Sequence, residues 1–325
     1  MRKILLFMVL MVATLLLPVV GCGPSEPAVE NDREVEEMEA AEPVEVDDSN
    51  GLIMVTDQMG REVIIEEVPQ RIISLSPSNT EVAFTLGLED RIYGVTEFCN
   101  YPPEALEKDQ VGGFATPSIE KIVELEPDLI LASTIHEEEV PRLEELGISV
   151  LVIEASNLLE LYTSISLVAE ITGVPARGEE LIASMQQGIG AVEAVVAEIP
   201  EEERVDVFYE VYSDPLMSAG SGAFINEIIT LAGGNNIFSE VEENYPQISA
   251  EVVAEKQPDI ILFPDYHGTA ETVIDDMAGR PGWESVPAVQ NEKVFAINDD
   301  VFARPGPRVV EAVEEAARLF YPEHF

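Results

Sequence analysis

Short apolar runs alternate with amphipathic stretches along most of this chain. Between Leu52 and Val68, the runs Ile53-Met-Val-Thr and Glu62-Val-Ile-Ile flank a polar turn at Gln58 to Gly60, which predicts a β-hairpin. Arg71-Ile-Ile-Ser-Leu reads as a buried strand. Pro77-Ser78-Asn79 then opens a helix over 80–86 that Gly87 stops. Further strands are expected at 92–95 and 150–153, the second preceded by a helix over 140–146. This alternation predicts a parallel α/β lobe. Helices follow at 158–171 and 176–199. In the second, Leu181, Ile182, Met185, Ile189, Val192, Val195 and Val196 keep helical spacing, while Gly188 and Gly190 weaken it locally. It would be about 35 Å long. A second alternating region has strands at 205–211, 260–263 and 294–297. Its helices lie at 223–231, after a Gly-rich turn at Ser218 to Gly222, and at 308–321.

One pattern occurs twice. Ser118-Ile-Glu120 stands seven residues before Pro127-Asp128 and Leu-Ile-Leu-Ala132, counting from Glu120. Ser249-Ala-Glu251 stands in the same relation to Pro258-Asp259 and Ile-Ile-Leu-Phe263. Each copy reads as a Ser-capped short helix, a Pro-Asp stop and a buried strand. The repeat predicts an α/β fold of two similar, Rossmann-like lobes joined by a single long bridging helix, with a ligand cleft between the lobes. The expected boundaries are an N-terminal lobe over 51–156, a helical bridge over 157–202 and a C-terminal lobe over 203–325.

The N-terminus changes the picture. Arg2 and Lys3 precede an apolar run over 4–20 that ends Val19-Val20-Gly21-Cys22. The run is short for a membrane span and lacks a basic stop-transfer flank, so 1–21 reads as a signal peptide. The residues before Cys22 resemble a bacterial lipobox. That resemblance implies a lipid on Cys22 and an extracytoplasmic protein anchored to the cell membrane. The segment 22–50 holds eleven acidic side chains against Arg33 alone and reads as a flexible tether. Beyond Cys22 the only thiol is Cys99, so no disulfide within the chain is expected.

The formal net charge is −46, from 17 Lys+Arg and 63 Asp+Glu. Such a balance excludes a nucleic-acid partner and docking on anionic lipid. Five Lys accompany twelve Arg, a composition that fits a surface adapted to high salt.

The body from about Leu52 onward resembles the substrate-binding proteins of ABC importers for corrinoids, ferric siderophores and haem, most closely the cobalamin binders. The residues that carry the resemblance are Arg71-Ile-Ile-Ser-Leu-Ser-Pro-Ser-Asn-Thr-Glu81, Asn100-Tyr-Pro-Pro103, the two repeat copies, Leu231-Ala-Gly-Gly-Asn-Asn-Ile237, Tyr245-Pro-Gln-Ile-Ser249 and Arg304-Pro-Gly-Pro-Arg308. It implies a monomeric carrier without catalytic residues that hands a corrinoid or a ferric siderophore to a permease and its ATPase. The ligand itself would be a metal chelate, with no resident cofactor. The implied ligand-binding residues are Pro77, Phe98, Phe114, Tyr245, Asp300 and Arg304, and Glu120 and Glu251 would dock onto permease arginines. The sequence departs from the pattern at Ser133, where a bulky ring is expected, and at Cys99. Cys99 is either a small buried residue or a thiol beside a metal centre.

Other chemistry is poorly supported. His136, His267 and His324 have no ligand spacing, so a bare-metal site is not expected. Gly220-Ser221-Gly222 lacks the Lys-Ser/Thr of a nucleotide loop and the frame of a nucleophile elbow. An enzyme and a structural lipoprotein are the remaining alternatives.

Overall fold

The runs Leu-Ile-Leu-Ala and Ile-Ile-Leu-Phe are apolar at every position because each strand is covered on both faces. A computed structural model describes residues 46–47, 52–265 and 270–325. Cys22, the signal segment and His267 lie outside the described residues. So does the tether, except for Val46–Asp47 near its end.

In chain order the first elements are β1 (Val46–Asp47), β2 (Leu52–Thr56), β3 (Glu62–Ile65), β4 (Ile72–Ser74), α1 (Pro77–Thr85), β5 (Ile92–Val95) and β6 (Asp109–Gln110). Then come α2 (Ile119–Glu124), β7 (Leu129–Ala132), α3 (Val140–Glu145), β8 (Ser149–Val152), α4 (Leu158–Ile171) and α5 (Pro175–Val196). The second half holds β9 (Asp206–Ser213), β10 (Leu216–Ser218), α6 (Phe224–Leu231), β11 (Asn235–Asn236), α7 (Ala250–Lys256), β12 (Ile260–Pro264) and α8 (Ala270–Ala278). It closes with α9 (Pro287–Gln290), β13 (Val294–Ile297), α10 (Asp299–Phe302) and α11 (Val309–Phe320).

Two sheets organise two lobes. The first has the order β6-β5-β4-β7-β8, parallel throughout. The second has the order β10-β9-β12-β13; β11 also pairs with β9, and only the β9–β10 pairing is antiparallel. The predicted hairpin is β2–β3, joined by β1, so Val46–Asp47 pairs into a sheet where the sequence suggested free tether.

Strand alternation divides the apolar residues between layers. Ile72, Leu129, Leu131 and Leu151 face a core shared with α1 and α4, while Ile73, Ile130 and Val150 face α2 and α3. In the second lobe Val207, Ile260 and Leu262 join α6 and α11, while Phe208, Ile261 and Phe263 join α7, α8 and α9. The first of these cores is continuous across both lobes. Helix α5 contributes Met185, Ile189, Val192 and Val196 to it, and packs against α4 and against α6 and α11.

Of the two glycines that weaken α5 by propensity, Gly188 allows such a contact, as does Gly178, while Gly190 faces open space. A Cβ on Gly178 would lie 2.6 Å from Ala169 Cβ of α4, and one on Gly188 would lie 2.5 Å from Val310 Cγ1 of α11. Close approach of neighbouring helices offsets the helix propensity that is lost.

The sequence repeat is also a structural repeat. The Ser118 and Ser249 hydroxyls accept the Lys121 and Val252 amides at 3.4 Å each, capping α2 and α7. The residue before each Pro adopts positive φ, 48° at Glu126 and 50° at Gln257, the left-handed turn with which helices commonly end. The following Asp then pins the start of the neighbouring strand. Asp128 accepts the Gln70 and Arg71 amides at 2.7 and 2.9 Å, and Asp259 accepts the Asp206 amide at 2.9 Å. Asp128→Ala should therefore cost about 1–2 kcal/mol in urea unfolding, and Asp128→Asn less. A loss below a few tenths of a kcal/mol for Asp128→Ala would show that the carboxylate does not hold β4.

Candidate functional site

Parallel strands leave their C-terminal ends free to form a site. In this chain those ends, from both lobes, line a cleft of about 810 Å³. Ser76 follows β4, Glu97 and Phe98 follow β5, Ser133 follows β7, and Ile153 and Glu154 follow β8. From the other lobe, Asp265 follows β12, and Asn298, Asp299 and Asp300 follow β13. Asn79, near the start of α1, ties these ends together by donating to Ala132 O at 2.9 Å and Ile153 O at 3.4 Å.

Five of the six expected ligand residues, Pro77, Phe98, Phe114, Asp300 and Arg304, line this cleft. Tyr245 does not. It is 42 % exposed, and its phenol is pushed up by desolvation and then by the charge of Asp299. Phe98 is 54 % exposed, an apolar surface open to a ligand. Cys99 turns away from the cleft, buried with its sulfur 3.1 Å from Thr80 Oγ1 and 3.2 Å from Thr96 Oγ1. It is the small core residue of the two readings.

His136 has no ligand spacing, and its role is positional. The buried ring accepts the Ser133 amide on Nδ1 at 3.0 Å, so Nε2 carries the proton and donates to Phe114 O at 2.7 Å. Its ring also meets the Phe114 ring edge-on at 5.6 Å. One side chain thus fixes two residues of the cleft wall. Among the described residues, no group of three or more His, Cys, Asp or Glu could hold a metal ion.

A polar network joins the lobes at the edge of the cleft. Glu81 of α1 is 2 % exposed and takes Arg308 in a bidentate pair, Nε to Oε2 at 2.9 Å and Nη2 to Oε1 at 2.6 Å. Arg304 Nη1 lies 3.6 Å from the same carboxylate and donates to Asn100 Oδ1 at 2.7 Å. Its Nη2 meets Asp300 Oδ1 at 2.5 Å, and Asn100 Nδ2 donates to Asp300 Oδ2 at 2.8 Å. Arg308 also lies over the Tyr101 ring at 3.9 Å. Sequence reasoning placed Arg304 on the ligand; the structure shows a guanidinium already committed to protein partners at the edge of the cleft. The Glu81–Arg308 pair was missed because its members stand 227 residues apart. Both did fall within quoted motifs.

The Gly-rich turn is not a phosphate loop. Gly220 N donates to Asn244 O at 2.9 Å and Ser221 N to Val241 O at 2.8 Å. A Cβ on Gly220 would lie 2.1 Å from Glu243 O. Its amides are used by the protein itself.

Glu120 and Glu251 are exposed in the first turns of α2 and α7, one on each lobe. The Glu251 carboxyl is held below its usual range by its own backbone N–H and then by the Ser249 hydroxyl, so it stays ionised.

Two α/β lobes with a cleft at their facing strand ends define a ligand-capturing protein. The chain belongs to the periplasmic binding protein family, whose model matches residues 72–301. It is 31% identical over 325 residues to YvrC of Bacillus subtilis, an uncharacterized ABC transporter substrate-binding lipoprotein, covering 96% of this chain and 97% of YvrC. Among solved structures it is similar to the periplasmic vitamin B12 binding protein BtuF of Vibrio cholerae, with 32% identity and a TM-score of 0.67 over 78% of this chain and 98% of BtuF. It is also similar to the periplasmic heme-binding protein RhuT of Roseiflexus sp. RS-1, with 27% identity and a TM-score of 0.70 over 79% of this chain and 99% of RhuT. The resemblance carried by the sequence motifs and the two-lobed α/β fold are both borne out.

Removing Glu81 leaves two guanidiniums without their shared buried anion. Glu81→Ala should cost about 3–5 kcal/mol in chemical denaturation. Destabilisation below about 1 kcal/mol would mean that the network does not hold the lobes.

Proposed function

We propose that this protein is the extracytoplasmic capture subunit of an ABC importer, anchored by a lipid on Cys22, and that its ligand is a corrinoid. The observation that carries the reading is the cleft itself. It draws on both lobes and sets the half-exposed Phe98 and the His136-anchored Phe114 among hydroxyls, amides and carboxylates that can hydrogen-bond a ligand. Flat rings suit the face of a macrocycle, and neutral hydrogen-bonding groups suit the amide arms of a corrin. Similarity to a vitamin B12 binding protein supports the same ligand class. A haem reading draws support from the similarity to RhuT. It is disfavoured because Arg304, the cation best placed to meet a propionate, is already paired with Asp300.

The proposed partner is a permease with its ATPase, approached by Glu120 and Glu251. Two separated, solvated charges orient a docked complex more than they tighten it. The shared core through α5 limits relative motion of the lobes, so capture would involve small closure.

Calorimetric titration with cyanocobalamin tests the ligand. Saturable binding is expected, weakened by about ten-fold in Phe98→Ala and in Phe114→Ala, about 1.4 kcal/mol each. Absence of binding, or full affinity in both variants, would contradict the corrinoid reading. Charge reversal at both docking sites, Glu120→Arg with Glu251→Arg, should abolish uptake in cells while binding in solution persists. Normal uptake by that double variant would remove the docking assignment.

A further inference from the structure

The charges around the cleft are unbalanced in a way that bears on what can enter. Five carboxylates line it, Glu97 and Glu154 from one lobe and Asp265, Asp299 and Asp300 from the other. Among the described residues the one cation in the lining is Arg304. Its guanidinium is occupied by Asp300 at 2.5 Å and by Asn100 at 2.7 Å, and lies 3.6 Å from the buried carboxylate of Glu81. Among the described lining residues no unpaired positive charge is left over for a ligand. The Asp299 carboxyl responds to these surroundings, pushed above its usual range by desolvation and then by Asp300, with Tyr209 and Arg304 opposing. The remaining polar lining is uncharged, as at Ser76, Ser78, Ser133 and Ser164.

We propose that the cleft sorts metal chelates by charge, admitting neutral or cationic ones and refusing those that carry free carboxylates. This inference rests on the reading of the cleft as the ligand site and adds to it the property that selects among ligands. The argument is one of charge and solvation. A carboxylate entering the cleft loses water and meets an excess of like charge, in a space where screening by salt is weaker than at the open surface. An uncharged amide of the same size loses little and finds hydroxyl partners. A corrin with all its side chains as amides passes this filter. Haem with two propionates, and siderophores with free carboxylates, do not. Selection of this kind acts by excluding competitors, and it needs no special contact to the favoured ligand.

The test compares ligands of one shape that differ in charge. The full chain would be titrated with cyanocobalamin and with a cyanocobalamin monocarboxylic acid in which one side-chain amide is hydrolysed. A second pair is haem dimethyl ester and haemin. In whichever pair binds, the neutral member should bind about ten-fold tighter or more at low salt. The gap should narrow at high salt, and narrow again in Asp299→Asn and in Glu154→Gln. The salt titration of the unaltered chain keeps the test decisive where a variant fails to fold. Equal affinities within a bound pair, tighter binding of the acid, or binding of neither pair would overturn the proposal. Binding of the haem pair alone would refute the corrinoid reading, and the charge claim would then be decided by ester against acid.

Discussion

A buried carboxylate from one lobe, held by guanidiniums from the other, is the contact on which the shape of the cleft depends. Glu81 sits in α1, directly after the strand end that forms one wall, and Arg308 leads into α11 of the opposite lobe. Burying such a pair brings little net stability over an apolar contact, but breaking it is costly. It therefore acts as a constraint on geometry. With Arg304, Asn100 and Asp300 arranged around it, the network fixes which atoms remain free to face a ligand. Among the described residues, the committed Arg304 leaves a cleft of aromatic rings, hydroxyls, amides and more acids than cations. The proposed ligand class rests on that remainder.

The second constraint is the continuous apolar core. Strands of both lobes and helices α4, α5, α6 and α11 share it, so the lobes cannot separate widely without exposing large side chains. Burial of this extent stabilises by tens of cal/mol per Å² of apolar surface, far more than the polar network contributes. The two devices divide the work. The core sets how far the lobes can move, and the Glu81 network sets where the cleft edges stand.

Much of the fold was legible because the lobes obey simple periodicities. Strands covered on both faces read as unbroken apolar runs, and α5 announced itself by helical spacing. The repeat at Ser118 and Ser249 was visible because the same local problem, capping a short helix and pinning a strand start, is solved twice with the same residue types. Short or polar elements left no such trace. The strand pairing of Val46–Asp47 lay inside an acidic segment, and α8 and α10 were missed because Glu, Asp and short length hide their pattern. At the site, Phe98, Phe114 and Pro77 were found through family motifs, whereas the anchoring of Phe114 by His136 and the pairing of Glu81 with Arg308 are products of the tertiary fold. Local sequence carries no signal for partners brought together from distant positions.

Hydrogen–deuterium exchange of the chain with and without saturating cyanocobalamin tests the central claim, capture between the two lobes, most directly. Amide exchange should slow together at Ser76 to Asn79 and Phe98 to Asn100 on one lobe and at Asn298 to Arg304 on the other. Protection confined to one lobe, or appearing away from these strand ends, would contradict capture in the cleft.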